Sequence, residues 1–232
     1  KFAENDGRIC CVTAAMAEGT GLCEFADKYP QRFFDVGIAE QHAVTFSSGL
    51  AKNGMIPVFA VYSTFLQRSY DQLIHDIAMQ GLKVIFAVDR AGFVGEDGES
   101  HQGVFDTAFL NSVVGLTIYA PSFYNELGAM LYESIYKTDG ASAIRYPRGN
   151  ERYMPENYEY NHQSYSVFGD GSADNCIVTY GRLFSECCQA YENLDNTCLV
   201  KLNKIKPIDE SVVNELKLCK DIYFYEEGIR SG

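Results

Sequence analysis

The sequence predicts an α/β protein: a mostly parallel sheet with helices on both faces, followed by a partial second α/β domain. Three observations predict it. Short apolar runs alternate with longer segments of helical period, the pattern of strands joined by helical crossovers. A polar stretch rich in Tyr, Asn, Ser and Gly interrupts that pattern from Asn150 to Asn175. The alternation then restarts and reaches the end of the chain just beyond a strand and a Gly-containing turn. The expected organisation is a first domain over residues 1–149, a linker over 150–174, and a truncated second domain over 175–232.

Taken in order, RICCVTAAM reads as a buried strand and LCEFADKY as a short helix after Gly21. FFDV is a strand, EQHAVTFSSGLAKNG a helix ending at Gly54, and PVFAV a strand. TFLQRSYDQLIHDIAMQG reads as one long helix, with Phe65, Leu66, Tyr70, Leu73, Ile74 and Ile77 at spacings of three to four. Ser63 or Thr64 is placed to cap its start. KVIFAV and LTIYA are strands, Ser122 to Lys137 a helix, and SAIRY a strand. The second unit reads strand CIVTY, helix LFSECCQAYENL, strand TCLVKL, a helix from Asp209 to Cys219, and strand DIYFYEE. In such sheets ligands sit at the carboxyl ends of the strands, so the informative residues should directly follow strands.

A net charge of -12 excludes a general nucleic-acid or acidic-membrane partner, since both require excess Lys and Arg. It leaves room for a small anion held by a few local arginines. The eight cysteines form no framework: Cys10 and Cys11 are adjacent, as are Cys187 and Cys188, and no CxxC offers metal or redox spacing. Reduced, buried thiols of a cytoplasmic protein are the expectation. No segment reads as a signal, a membrane span or an internal repeat.

Three clusters follow strands. Glu40 sits between a strand and the first turn of a helix, where a carboxylate gains from the helix N-terminus; a capping role and a site role both stand. His42 and His75 lie on apolar helices, as hydrogen-bonded structural histidines do. The loop VDRAGFVGEDGESHQGVFD, Val88 to Asp106, mixes Asp89, Arg90, Glu96, Asp97, Glu99 and His101 with four glycines. Such loops are often sites and often solvated turns. RYPRGN, Arg145 to Asn150, offers two arginines for bidentate phosphate contacts, or for surface ion pairs.

The order and spacing of IAEQHAVT, YSTFLQR, DRAGxVGxDGxxHxGxFD and RYPRGN resemble the pyrimidine domain of 1-deoxy-D-xylulose-5-phosphate synthases. The resemblance runs unbroken from Arg32 to Asn150 and continues more loosely through VKLNKIKPIDE and YFYEEGIRSG. HQGVFD and RYPRG separate it from ordinary transketolases and from 2-oxo-acid dehydrogenase β subunits, the nearest alternative as two-chain enzymes. It implies a transketolase-type enzyme, active as a homodimer, that uses thiamine diphosphate and Mg2+ to join pyruvate and glyceraldehyde 3-phosphate. In that family the glutamate matching Glu40 hydrogen-bonds the aminopyrimidine nitrogen and so promotes loss of the thiazolium proton. By the same match Phe65 stacks on the pyrimidine, while Tyr62 and Arg68 line the pocket near the reacting carbons. Asp97 and His101 bind hydroxyl and carbonyl groups, with His101 moving protons. Arg90 and Arg148 clamp the acceptor phosphate, with Arg145 either helping or serving as a structural neighbour.

The family's diphosphate and magnesium motif belongs to an N-terminal domain outside Lys1–Gly232, so no metal ligand is expected here. Gly169-Asp170-Gly171 with Asn175 resembles that motif in part, but its asparagine comes too soon, and a turn is expected. On this reading the isolated chain folds without catalysing, binds cofactor weakly and self-associates through its bare face, while the second unit hangs loosely from the linker.

Overall fold

The computed structural model describes residues 1–156, 158–170 and 172–230. The strands are β1 (Ile9–Thr13), β2 (Phe33–Asp35), β3 (Ile56–Tyr62), β4 (Ile85–Asp89), β5 (Thr117–Tyr119), β6 (Ser142–Arg145), β7 (Tyr165–Phe168), β8 (Asn175–Tyr180), β9 (Thr197–Leu202), β10 (Lys204–Lys206) and β11 (Asp221–Tyr225). The helices are α1 (Phe2–Asn5), α2 (Cys23–Lys28), α3 (Glu40–Lys52), α4 (Ser63–Leu66), α5 (Tyr70–Gln72), α6 (Asp106–Ser112), α7 (Tyr124–Tyr136), α8 (Phe184–Tyr191) and α9 (Glu210–Leu216). Among the described residues no helix is long and apolar enough to cross a membrane.

Strands β1 to β6 pair in parallel in the order β5-β6-β4-β3-β1-β2. Their side chains alternate between faces as strand geometry requires. Val12, Phe59, Val61, Phe86 and Val88 meet Ala43 and Val44 of α3 with Leu66, Leu73, Ile77 and Leu110. Ile9, Cys11, Ile56, Val58, Ile85 and Ile144 meet Ala3 of α1 with Met130 and Ile135 of α7. Both faces are therefore covered by helices, as the apolar runs predict.

The segment expected as one long helix is broken into α4, a 3-10 turn at Gln67–Ser69, α5, and a π-helical turn at Leu73–Ala78. The changes of pitch let Leu66, Leu73 and Ile77 all reach the core while Arg68 stays half-exposed at the sheet edge. Neither Ser63 nor Thr64 caps the start: Tyr62 holds the cap position without a side-chain bond, and Thr64 Oγ1 donates instead to the Ser100 carbonyl.

The second sheet has the order β11-β8-β9-β7, with α8 packed through Phe184 and Cys187 and α9 through Val212. The stretch expected as a linker contributes β7, which pairs antiparallel with β9. Its YSVF is a short β-prone run hidden among polar residues. β10 returns to the first sheet and pairs antiparallel with β5. Ala120 and Phe123, just after β5, lie in the apolar clusters of the second unit. The second unit is thus docked on the first rather than hanging from a linker.

Candidate active site

The carboxyl edge of the parallel sheet collects the predicted residues, as open α/β sheets do. Glu40 opens α3 and is 2% exposed. Ala39 precedes it without a side-chain cap, so the capping reading has no hydrogen bond behind it. The hydrogen-bonding group on its carboxylate is the half-exposed Arg68, whose Nη1 donates at 3.1 and 3.4 Å. One exposed donor leaves a buried carboxylate with spare acceptor capacity.

Beside it stands an aromatic ledge. The Tyr62 and Phe65 rings are 5.9 Å apart and inclined by 22°. The Arg68 guanidinium lies 5.1 Å from the centre of Phe65. His101 sits edge-on to Phe65 at 5.2 Å and 6.3 Å from Tyr62, with Nδ1 2.9 Å from Ser100 Oγ. Burial pushes the Tyr62 hydroxyl up, keeping it protonated.

Arg90 follows β4 with φ of 61°, a conformation that costs a non-glycine residue about 1–3 kcal/mol. Its guanidinium explains why that conformation persists. Nε donates to Asp97 Oδ2 at 2.8 Å, Nη1 donates to Asp89 Oδ2 at 3.1 Å and to the Gly19 carbonyl at 3.2 Å, and the group lies 3.7 Å from the centre of the Tyr62 ring. Two glycines permit this arrangement. A Cβ on Gly19 would run into the Tyr62 hydroxyl, and one on Gly103 would meet the Arg90 carbonyl and Ser63. Gly92 and Gly103 exchange backbone bonds of 2.9 and 2.8 Å that close the polar loop at its base.

Arg148 Nη1 donates to Asp97 Oδ1 at 2.7 Å and lies 3.5 Å from Glu96. The two arginines expected to clamp phosphate therefore converge on one anion, the carboxylate of Asp97. Both Asp97 oxygens are engaged in this arrangement. Burial pushes the Asp89 carboxyl up to about 6 against the pull of Arg90.

Arg145 is not on this surface. It is 6% exposed and bidentate with Asp106 at 3.0 and 3.1 Å, and it faces Tyr180 of the second unit. These contacts support the structural reading of Arg145. His75 is exposed with Nδ1 3.0 Å from Asp71 Oδ1, whereas His42 is exposed and its ring lies 6.1 Å from that of Phe46. Asp170 Oδ1 accepts from the Ser172 amide at 2.9 Å, while Gly171, and with it the turn expected there, lies outside the described residues. The sequence reading missed Gly19 and the anchoring role of Asp89. Their signals, GTG after the first strand and the acid directly before Arg90, mean little until the topology brings them together.

A parallel sheet with a buried glutamate and an aromatic ledge at its carboxyl edge defines the class, and the chain belongs to the family of transketolase pyrimidine-binding domains, whose profile matches residues 1–154. Its curated relatives are more particular. It is 45% identical over 230 residues to the 1-deoxy-D-xylulose-5-phosphate synthase of Clostridium acetobutylicum, covering 96% of this chain and 36% of that protein. It is 48% identical over 223 residues to the 1-deoxy-D-xylulose-5-phosphate synthase of Halalkalibacterium halodurans, covering 93% and 35%. The chain thus spans about a third of the length of these relatives. A split-gene transketolase, described as an inactive β4 tetramer, superposes with a TM-score of 0.82 at 24% identity over 98% of this chain and 76% of that one. A transketolase from Pichia stipitis in complex with sedoheptulose 7-phosphate gives 0.82 at 18% identity over 100% and 38%. These likenesses establish the fold.

Proposed function

We propose that this chain forms the pyrimidine-binding half of the active site of a synthase that condenses pyruvate with D-glyceraldehyde 3-phosphate. The products are 1-deoxy-D-xylulose 5-phosphate and carbon dioxide, and the cofactor is thiamine diphosphate with Mg2+. The observation that carries this reading is Glu40: a buried carboxylate with spare acceptor capacity beside the Tyr62–Phe65 ledge. That pairing fits a flat, protonatable aminopyrimidine, which needs one buried anion and one aromatic face.

When bound, thiamine diphosphate supplies the carbon nucleophile for the carbonyl of pyruvate. Glu40 holds the proton on the pyrimidine nitrogen, and Phe65 takes the ring face. Arg68 covers both of these surfaces in the present arrangement, so it would have to move outward to admit the pyrimidine, where with Tyr62 it would line the substrate pocket. The acceptor phosphate replaces the Asp97 carboxylate between Arg90 and Arg148. Asp97 is thereby released to take substrate hydroxyls beside His101, which moves the proton of the acceptor oxygen.

The diphosphate and Mg2+ ligands belong to the two thirds of the relatives' length beyond this chain. Ile38 and Phe93, exposed by 81 and 57%, lie in the loops after β2 and β4, and Phe105, exposed by 50%, precedes α6; they leave an apolar rim for that diphosphate-binding domain and a homodimer partner to cover. The chain alone is expected to fold and to be inactive. Its eight free thiols suit a reducing cytoplasm.

The test is substrate discrimination in the whole enzyme. Arg90→Ala or Arg148→Ala should raise the KM for glyceraldehyde 3-phosphate roughly 10- to 100-fold, the loss of one charge-assisted contact, with little change for pyruvate. Equal losses for both substrates would remove the assignment.

A further inference from the structure

Three of the eight cysteines meet on the second sheet, although no spacing in the sequence announces it. Cys176 is the second residue of β8 and Cys198 the second of β9, and the parallel register places them opposite one another. Cys219 arrives from the turn after α9, its amide bonded to the Leu216 carbonyl. The three Sγ atoms lie within 4.8 Å of one another, with Cys198 and Cys219 at 3.9 Å. Cys176 and Cys198 are 0 and 3% exposed, whereas Cys219 is partly open to solvent. Among the described residues this is the only group of three metal-ligating side chains with donors in mutual reach.

We propose that Cys176, Cys198 and Cys219 bind one soft, closed-shell cation, Zn2+ or Cu+, that ties the end of α9 to the second sheet. Thiolate is the donor these ions select, and no carboxylate belongs to the group, which disfavours hard cations such as Mg2+ or Ca2+. Zn–S bonds of about 2.3 Å in a tetrahedron place sulfurs about 3.8 Å apart, a spacing the Cys198–Cys219 pair already has at 3.9 Å, while Cys176 needs to close in from within 4.8 Å. Packing of cysteines as small hydrophobes would explain the burial of Cys176 and Cys198. It does not explain why three sulfurs from three elements converge on one point. Cys219 provides the entry path. The nearby Asp174 is committed to Lys220 at 2.9 Å and Asn196 at 3.1 Å, so water completes a tetrahedral ion and a trigonal ion needs no further ligand. Binding releases the three thiol protons to solvent.

The experiment uses reduced, chelator-treated protein, dialysed against Zn2+ or, without oxygen, against Cu+, followed by elemental analysis and thermal unfolding. One ion per chain with Kd below about 1 μM, and a raised unfolding temperature, are expected. Uptake of Zn2+, with a thiolate charge-transfer band on Co2+ substitution, identifies the tetrahedral site; uptake of Cu+ alone identifies the trigonal one. Cys219→Ser, at the open side, should weaken binding by ~10-fold or more and reduce the thermal shift accordingly. Cys23→Ser, outside the cluster, should change neither. No uptake of either ion, or unchanged uptake by both Cys219→Ser and Cys219→Ala, overturns the proposal.

Discussion

Arg90 shows how much of the site rests on single residues. Its left-handed backbone, its three hydrogen-bond acceptors and the Tyr62 ring depend on one another. Gly19 is the least conspicuous partner. Gly19→Ala should push Tyr62 off the Phe65 ledge and lower kcat/KM of the whole enzyme by about 10-fold or more while the fold persists, because a displacement of about 1 Å at a reacting centre carries that penalty. Steady-state kinetics beside circular dichroism would check it. Asp89 carries a pH signature. Its carboxyl is raised to about 6, so the folded state holds that proton more tightly than the unfolded chain. The associated stability is present below about pH 4 and is lost as pH rises through about 6, by at most about 3 kcal/mol. Relative to Asp89→Asn, the wild type should therefore lose stability from pH 4 to pH 6 and hold a constant difference above. Urea midpoints across that range measure it, and a flat difference would contradict the assigned environment.

At the scale of elements, periodicity located the six parallel strands and α3 and α7 well, because burial on both faces writes continuous apolar runs. It failed where tertiary contacts set the local pitch. The run from Ser63 to Ala78 has helical spacing throughout, yet it changes pitch to bury Leu73 and Ile77 and leave Arg68 at the edge. Helix α6 follows a glycine-rich loop and is only seven residues long, so DTAFLNS carried no usable period. Its Asp106 is 1% exposed and binds Arg145 from β6, which makes that pair the tie between helix, sheet and Tyr180. Arg145→Ala leaves the carboxylate buried and unpaired and should cost about 3–5 kcal/mol in denaturant unfolding. Little loss of stability, with weakened acceptor-phosphate binding instead, would return Arg145 to the substrate site. The glutamate, the aromatic ledge and the arginine loops were legible as ordered motifs. Their mutual contacts were not, since those depend on strand order. The cysteine cluster was not legible: Cys176 and Cys198 meet only because β8 and β9 are adjacent and in register.

For the whole molecule, the docking of the two units is the main departure from the sequence reading. Lys201 of β9 is fully buried and donates to Glu126 of α7 at 2.8 Å and to Tyr158 at 3.0 Å. Burial lowers the lysine pKa, and Glu126 holds the charge in place. With β10 in the first sheet as well, the chain should unfold in one cooperative transition. Lys201→Ala strands Glu126 in the interface and should split that transition or lower its midpoint by an amount equivalent to about 3–5 kcal/mol. Calorimetry distinguishes these from an indifferent surface pair. The docked second unit holds Tyr180 against Arg145 behind the sheet's carboxyl edge, where buried Glu40, bonded to Arg68, has capacity for a further partner. We propose that this partner is the pyrimidine of thiamine diphosphate. The most direct test is the rate of hydrogen–deuterium exchange at the thiazolium carbon of cofactor bound to the whole enzyme, read by NMR after acid quench. Glu40→Gln should slow that exchange by orders of magnitude and leave the unfolding midpoint nearly unchanged; exchange at the wild-type rate together with a lowered midpoint would make Glu40 a structural residue and contradict the account.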